Sequence, residues 1–180
     1  MRALKSVRVW GRSPDKAAAF AREQGARLGF AIEVSESVEA AVEAADVVCT
    51  VTSSREPILK GAWLRKGTHV NLVGASQQTS READNDVVAV SRFFVDSRVS
   101  ARAEAGELKH AIDAGLVTES HVLGEIGEVL NGKVTGRTGL QDITVYKSLG
   151  VAAQDMAAAR VIYDRALRDS IGMRVPFYGH

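Results

Sequence analysis

The sequence predicts an α/β protein: a doubly wound parallel sheet with a long helix at its C-terminal end. Two observations carry this. Short β-branched runs alternate with stretches of helical spacing, the pattern of strand–helix–strand units. One run, DVVCTV (46–51), is almost continuously apolar, which suits a strand buried on both faces of a parallel sheet.

VRVW (7–10) is the first strand candidate and leads into Gly11, Arg12, Ser13 and Pro14. Ser13 is placed to cap a helix whose first position is Pro14, where a missing N–H costs nothing. That helix runs through DKAAAFAREQGARLG and offers Ala18, Phe20, Ala21 and Leu28 to a sheet. AIEV (31–34) is the second strand, and Ser35 is expected to cap the helical segment ESVEAAVEAA. DVVCTV comes next, and Cys49 within it reads as a small core residue. The loop 52–67 is punctuated by Pro57 and two glycines. HVNLVG (69–74) is a fourth strand, SREADNDVVAVS a helix and FFVDS (93–97) a fifth strand. ARAEAGELKHAIDAG and GEIGEVLNG read as short helices, and DITVYKS (142–148) as a strand. The last segment, VAAQDMAAARVIYDRALRDSIG, is the longest helix candidate. Val151, Met156, Ala159, Tyr163 and Leu167 share one of its faces, and Asp164 with Arg168 is an expected i,i+4 pair.

Composition narrows the function classes. The chain has 180 residues, 46% hydrophobic and 25% charged, as ordinary globular domains do. Its 23 basic and 22 acidic residues leave a net charge of +1, which gives no reason to expect nucleic acid or a membrane surface as partner. One cysteine excludes an internal disulfide framework and fits a reducing compartment, and the four histidines lack zinc-site spacing, so no metal is expected. MRALKSVRVWGRSP lacks the apolar stretch of a secretory signal, and a cytoplasmic location is the expectation.

Ligands of doubly wound sheets sit beyond the carboxyl ends of the strands. The informative positions are therefore 11–13, 51–54, 74–76 and 97–98, with 147–150 beside them. A dinucleotide-binding sheet opens with a strand feeding G-x-G-x-x-G, whose glycines admit the pyrophosphate. No such motif occurs here; GEIGEVLNG and GKVTGRTG have the wrong spacing. The chain starts where such a fold has its second strand. The end of that strand selects NAD through an acidic residue, or NADP through an arginine. Here it offers Arg12 and Ser13, with no carboxylate before Asp15. Guanidinium and hydroxyl suit a phosphate, but Arg12 reads equally as a solvated charge at a strand end.

Several segments together resemble the ornithine cyclodeaminase/mu-crystallin family: VRVWGRSPDKAAAFA, DVVCTVTSSREPIL, GTHVNLVGASQQTSREAD, FFVDSR, GEIGEVLNG and ITVYKSLGVAAQD. They fall in the family's order and spacing and cover nearly the whole chain. The resemblance implies an incomplete Rossmann-like doubly wound parallel sheet over 1–150, lacking its first strand and glycine loop. A closing helical segment over 151–180 completes the chain, and the substrate and dimerisation domain is absent. It also implies a truncation, a late start or a fragment, and a homodimer for the full-length protein.

By the same resemblance the cofactor is NADP, with NAD possible. Arg12 and Ser13 match the contact to the adenosine 2′-phosphate. Thr50, Val51, Thr52 and Ser53 match the segment beneath the ribose and nicotinamide; otherwise they form a strand end with a hydroxyl-capped turn. Gly74 and Ala75 match a close approach near the active site, although Gly74 could simply end a strand. Ser148, Leu149 and Gly150 match residues beside the nicotinamide at the start of the last helix, where Ser148 could equally be an N-cap. Asp96 either contacts ligand or caps the segment after its strand. Glu107, Glu125 and Glu128 are expected on solvated or structural faces. Cyclodeaminases of the family carry an aspartate two positions after the glycine that ends the HVNLVG-like strand, and here that position is Ser76. A hydroxyl cannot act as a carboxylate base near neutral pH.

The expected activity of the intact protein is therefore NAD(P)H-dependent reduction of a ketimine or cyclic imine, such as a pyrroline or piperideine carboxylate. An ornithine cyclodeaminase-type ammonia lyase and a non-catalytic NADPH-binding fragment are the alternatives. A small imino or amino acid is the expected substrate; the catalytic residues are not identifiable, and the truncated chain alone is expected to be inactive.

Overall fold

The computed structural model describes residues 3–175. They fall into two compact units, Met1–Leu149 and Gly150–His180. In the first unit, β1 (Val7–Val9) leads through α1 (Pro14–Leu28) to β2 (Ile32–Val34), and the two strands pair in parallel. Ser13 caps α1 through Lys16 N–H, with Pro14 in the first turn, and Gly29 closes the helix at φ 63°, a left-handed conformation that favours glycine. The buried face of α1 carries Ala17 and Ala21; of the expected residues only Ala21 is buried, while Ala18, Phe20 and Leu28 are exposed.

α2 (Val38–Val42) is capped by Ser37 rather than Ser35. The chain then builds a second sheet from β3 (Val47–Thr50) and β4 (His69–Leu72), followed by α3 (Asn85–Ala89) and β5 (Arg92–Val95). Next come α4 (Arg98–Glu104), α5 (Gly106–Asp113), β6 (Val122–Glu125), α6 (Ile126–Leu130) and β7 (Thr144–Lys147). The five strands lie in the order β3-β4-β7-β5-β6, all parallel. The final strand thus enters between β4 and β5, with Thr144 opposite both His69 and Arg92. β6 lies where the sequence offers no strand, and GEIGEVLNG, which reads as one helix, is the end of a strand followed by a short helix.

Core packing covers one face of this sheet. Val48, Val70, Leu72, Val145, Phe93 and Val95 meet Val87 and Val88 of α3 and Ala101, Leu108 and Ala111 of α4 and α5. The opposite face is open at the β3 side, with Val47 43% and Val51 71% exposed. Burial in β3 therefore alternates instead of being continuous, and Cys49 is exposed rather than in the core. The cause is position: β3 is an edge strand, paired only with β4 among the described residues, and β1 is paired only with β2. A continuous sheet in the order 3-2-1-4-5-6 has a strand between these two edges; none of the described strands occupies that place.

The second unit contains α7 (Ala152–Asp169), whose N-cap is Val151. Its expected face is exposed, including Met156, Tyr163 and Leu167, and Asp164 pairs with Arg160 at 2.8 Å instead of with Arg168. No helix among the described residues is long and apolar enough to cross a membrane.

Candidate functional site at the strand ends

Because every strand of the larger sheet is parallel, all five carboxyl ends open on one edge. The segments after β3, β4, β5 and β7 are brought together there. This gathers Thr50, Val51, Thr52 and Ser53 with Gly74, Ala75, Asp96, Ser148 and Leu149. Val73 N–H donates to Thr50 O at 3.0 Å, and Ser148 N–H to Leu72 O at 2.9 Å, so the ladder continues into the loops.

Gly74 does more than end a strand. A Cβ there would lie 2.0 Å from Thr52 O and 2.3 Å from Thr52 N. Only glycine lets the loop after β4 pass this close to the loop after β3. Thr52 Oγ1 accepts from Ser54 N–H at 3.2 Å, a hydroxyl-capped turn. Val51, between two anchored threonines, projects outward.

Asp96 is buried; one of its carboxylate oxygens caps Ser97 N–H at 2.8 Å and the other accepts from Leu149 N–H at 2.6 Å. It therefore caps the turn after β5 and also ties the β7 end to the β5 end. Ser148 does not cap the last helix, whose N-cap is Val151.

Arg12 and Ser13 stand at the end of β1, in the smaller sheet. Arg12 is exposed, and no described residue engages its guanidinium. It lies beside the N-terminus of the 15-residue α1, where free N–H groups and the helix dipole favour an anion.

Three charged residues lie beneath the loops, all with 0% exposure: Glu107, and Glu82 and Lys147, to which the sequence assigns no role. Lys147 Nζ lies 3.1 Å from Glu107 Oε2 and donates to Ala75 O. Glu107 Oε1 accepts from Glu82 N–H at 2.9 Å. Of the solvated or structural face expected for it, Glu107 takes the structural alternative, in the interior. Glu125 and Glu128 are structural: they form a reciprocal capping box on α6, and Glu125 also accepts from Arg98 N–H. The N–H of Glu125 and the Arg98 guanidinium hold the Glu128 carboxyl below the usual carboxylate range, the backbone hydrogen bond being the larger cause.

A groove of about 270 Å³ between α4 and α5 is lined by Arg98, Arg102 and Lys109. Each cation has a carboxylate, in Glu128, Glu119 and Asp113 respectively, so the groove offers no unbalanced charge. No group of metal-ligating side chains occurs among the described residues.

The profile of the ornithine cyclodeaminase/mu-crystallin family matches residues 1–170. The ketimine reductase mu-crystallin of Mus musculus is 38% identical over 161 residues, 89% of this chain and 47% of that protein. The structure of Thermococcus litoralis Δ1-pyrroline-2-carboxylate reductase in complex with NADH and L-proline superposes with a TM-score of 0.87 at 35% identity, covering 93% of this chain and 52% of that one. An archaeal alanine dehydrogenase dimer with bound NAD gives 0.82 at 31% identity, over 96% and 53%. The chain spans about half the length of the relatives it matches.

Proposed function

We propose, from the premise that this chain belongs to the ornithine cyclodeaminase/mu-crystallin family, that it is the cofactor-binding part of an NAD(P)H-dependent imine reductase. The substrate class is a ketimine or cyclic-imine carboxylate of the pyrroline or piperideine type. Residues 1–150 form the nucleotide-binding part and 151–180 a closing helical segment. The substrate domain, through which the intact protein forms a homodimer, lies outside these 180 residues. No catalytic residue is assigned within them.

The donor set suits a nicotinamide dinucleotide at both ends. Arg12 and Ser13, beside the α1 N-terminus, provide charge-assisted donors for an adenosine 2′-phosphate, which favours NADP over NAD. Thr50, Val51, Thr52 and Ser53, with Gly74, Ala75, Ser148 and Leu149, form the surface for the ribose and nicotinamide. No glycine-rich pyrophosphate grip occurs among these residues, so the chain alone is expected to bind cofactor weakly.

When bound, NAD(P)H supplies a hydride to the C=N carbon. The nitrogen takes a proton, and the products are the amine and NAD(P)+. The observation that carries the reductase reading is Ser76, two residues beyond the close approach at Gly74, where cyclodeaminases use a carboxylate. The identity of the mouse relative and of the Thermococcus structure supports it. The test joins this chain to the N-terminal half of the mouse relative. NADPH consumption with Δ1-pyrroline-2-carboxylate is the expected result. Ammonia release from L-ornithine without net NADPH use would replace the reductase with a lyase. Turnover by the 180-residue chain alone would refute the assignment of the substrate domain elsewhere.

A further inference from the structure

Glu82 occupies an unusual position. It lies in the polar segment between β4 and α3, yet its side chain is fully buried beneath the strand-end loops. Oε1 accepts from Thr52 N–H at 2.5 Å; Oε2 accepts from Gly74 N–H at 2.7 Å and from the Thr50 hydroxyl at 2.8 Å. Both amides can only donate, and each carboxylate oxygen accepts from one of them, with the Thr50 hydroxyl as the third partner of this side chain.

We propose that Glu82 is the positioning residue for the nicotinamide-proximal half of the site. The inference rests on the reading that loops 50–53 and 74–75 hold that end of the cofactor. One carboxylate clamps both loops from below. It binds the Thr50 hydroxyl and the Thr52 amide on either side of Val51, turning that residue outward, and it fixes the amide of the glycine whose missing Cβ permits the crossing at Thr52. Glu82 is itself held on three sides. Its N–H goes to Glu107, and its carbonyl accepts from Ile58 N–H and Leu59 N–H at 2.8 and 2.9 Å. Glu107 leads through Lys147 to Ala75, the residue after Gly74. The β3 and β4 ends are thereby tied through side chains to α5 and to the β7 end.

Charge alone does not justify a buried carboxylate, since apolar packing often stabilises a fold as well. What the carboxylate adds is a fixed spacing between two loop backbones. Substituting Glu82 by Gln keeps the shape but turns a donor toward one of the two amides, so that amide loses its acceptor and the clamp is weakened.

The experiment uses the isotopically labelled 180-residue chain and two fragments of the cofactor. 2′,5′-ADP probes the Arg12–Ser13 end, and nicotinamide mononucleotide probes the loop end. Binding is followed by amide chemical shifts, which read millimolar affinities. In Glu82→Gln the Thr52 and Gly74 amide protons move upfield and exchange faster. Affinity for nicotinamide mononucleotide falls about ten-fold, the scale of one lost charged hydrogen bond, while that for 2′,5′-ADP stays within about two-fold because Arg12 and Ser13 make no contact with Glu82. Thr50→Val, which deletes only the hydroxyl donor, gives a smaller loss in the same direction and decides the matter if Glu82→Gln does not fold. Unchanged binding of nicotinamide mononucleotide in a variant whose amide shifts have moved overturns the positioning role. An equal loss of both ligands overturns it too, because the residue then acts on the fold as a whole. If the unaltered chain binds neither fragment, the cofactor reading itself fails; the two amide shifts still report whether the clamp exists.

Discussion

Replacing Lys147 by Met tests the buried charge network most directly. Lys147 and Glu107 are fully buried and 3.1 Å apart. Methionine nearly preserves the volume and leaves the hydrophobic contacts of the aliphatic stem in place. What changes is that the buried Glu107 carboxyl loses its counter-ion, and Ala75 O loses its donor. Breaking a buried pair from one side costs about 3–5 kcal/mol, because the remaining charge cannot return to water. Net stabilities of domains are about 5–15 kcal/mol, so this single change removes a large share. For a chain of this length the midpoint of thermal unfolding should fall by about 6–20 °C. Glu107→Gln in the same background removes the stranded charge while an amide oxygen can still accept from Glu82 N–H. The double variant should therefore recover most of the loss. Urea titrations of the four proteins give the coupling energy. A single-variant loss below about 1 kcal/mol, or a double variant no more stable than Lys147→Met, would refute the claim that the pair is a desolvated unit.

Gly74→Ala places a methyl within 2.0 Å of Thr52 O; the loops must part, and unfolding titrations should show a loss of about 3 kcal/mol together with weaker binding of nicotinamide mononucleotide. Arg12→Ala should raise the Kd for NADPH about ten-fold and leave that for NADH unchanged, as isothermal titration would show. His69 is depressed below its ordinary value of 6.5, chiefly by burial and further by Arg137, against the opposing effects of its bonds to Asn71 and Thr144. Its neutral form is the one the fold accepts, so its contribution is complete above pH 6.5 and is lost as pH falls toward the lowered folded value. Stability measured across that window should decline more steeply in the unaltered chain than in His69→Gln. The open β3 edge and exposed Val47 should promote association at high concentration, and Val47→Lys should reduce it several-fold in sedimentation.

Local rules made much of the fold readable. Ser13 followed by Pro14 marks one helix start without ambiguity, because each residue satisfies a backbone requirement specific to that place. HVNLVG alternates Val70 and Leu72 about Asn71, and FFVDS opens on three consecutive apolar residues, so both read as strands. HVLGE does not: Gly124 interrupts it, and it becomes a strand through pairing with β5, where the register shifts between Phe93 and Phe94. The double-sided burial expected for DVVCTV failed for a related reason. An apolar run states what a strand tolerates, whereas burial depends on a neighbour, and β3 has a described neighbour on one side only.

The site divides along the same line. Its loops were legible because ligand-facing loops come after parallel strands, and Gly74 stands where two of them cross. The charges beneath were not legible, because Glu and Lys are ordinarily solvated and no local motif marks Glu82 or Lys147 as buried. Parity nevertheless contained the signal. Lys147 is two residues from Val145, and alternate residues of a strand share a face. With Val145 in the core, Lys147 must point inward too, and a buried ammonium requires a carboxylate and further acceptors. Glu107 directly precedes the core residue Leu108 on α5, and Glu82 precedes the buried Ala83. Sequence parity could therefore have predicted an inward lysine and the need for an acid. Choosing between acids separated from it by 40 and 65 residues required the tertiary path that brings α5 beneath β7.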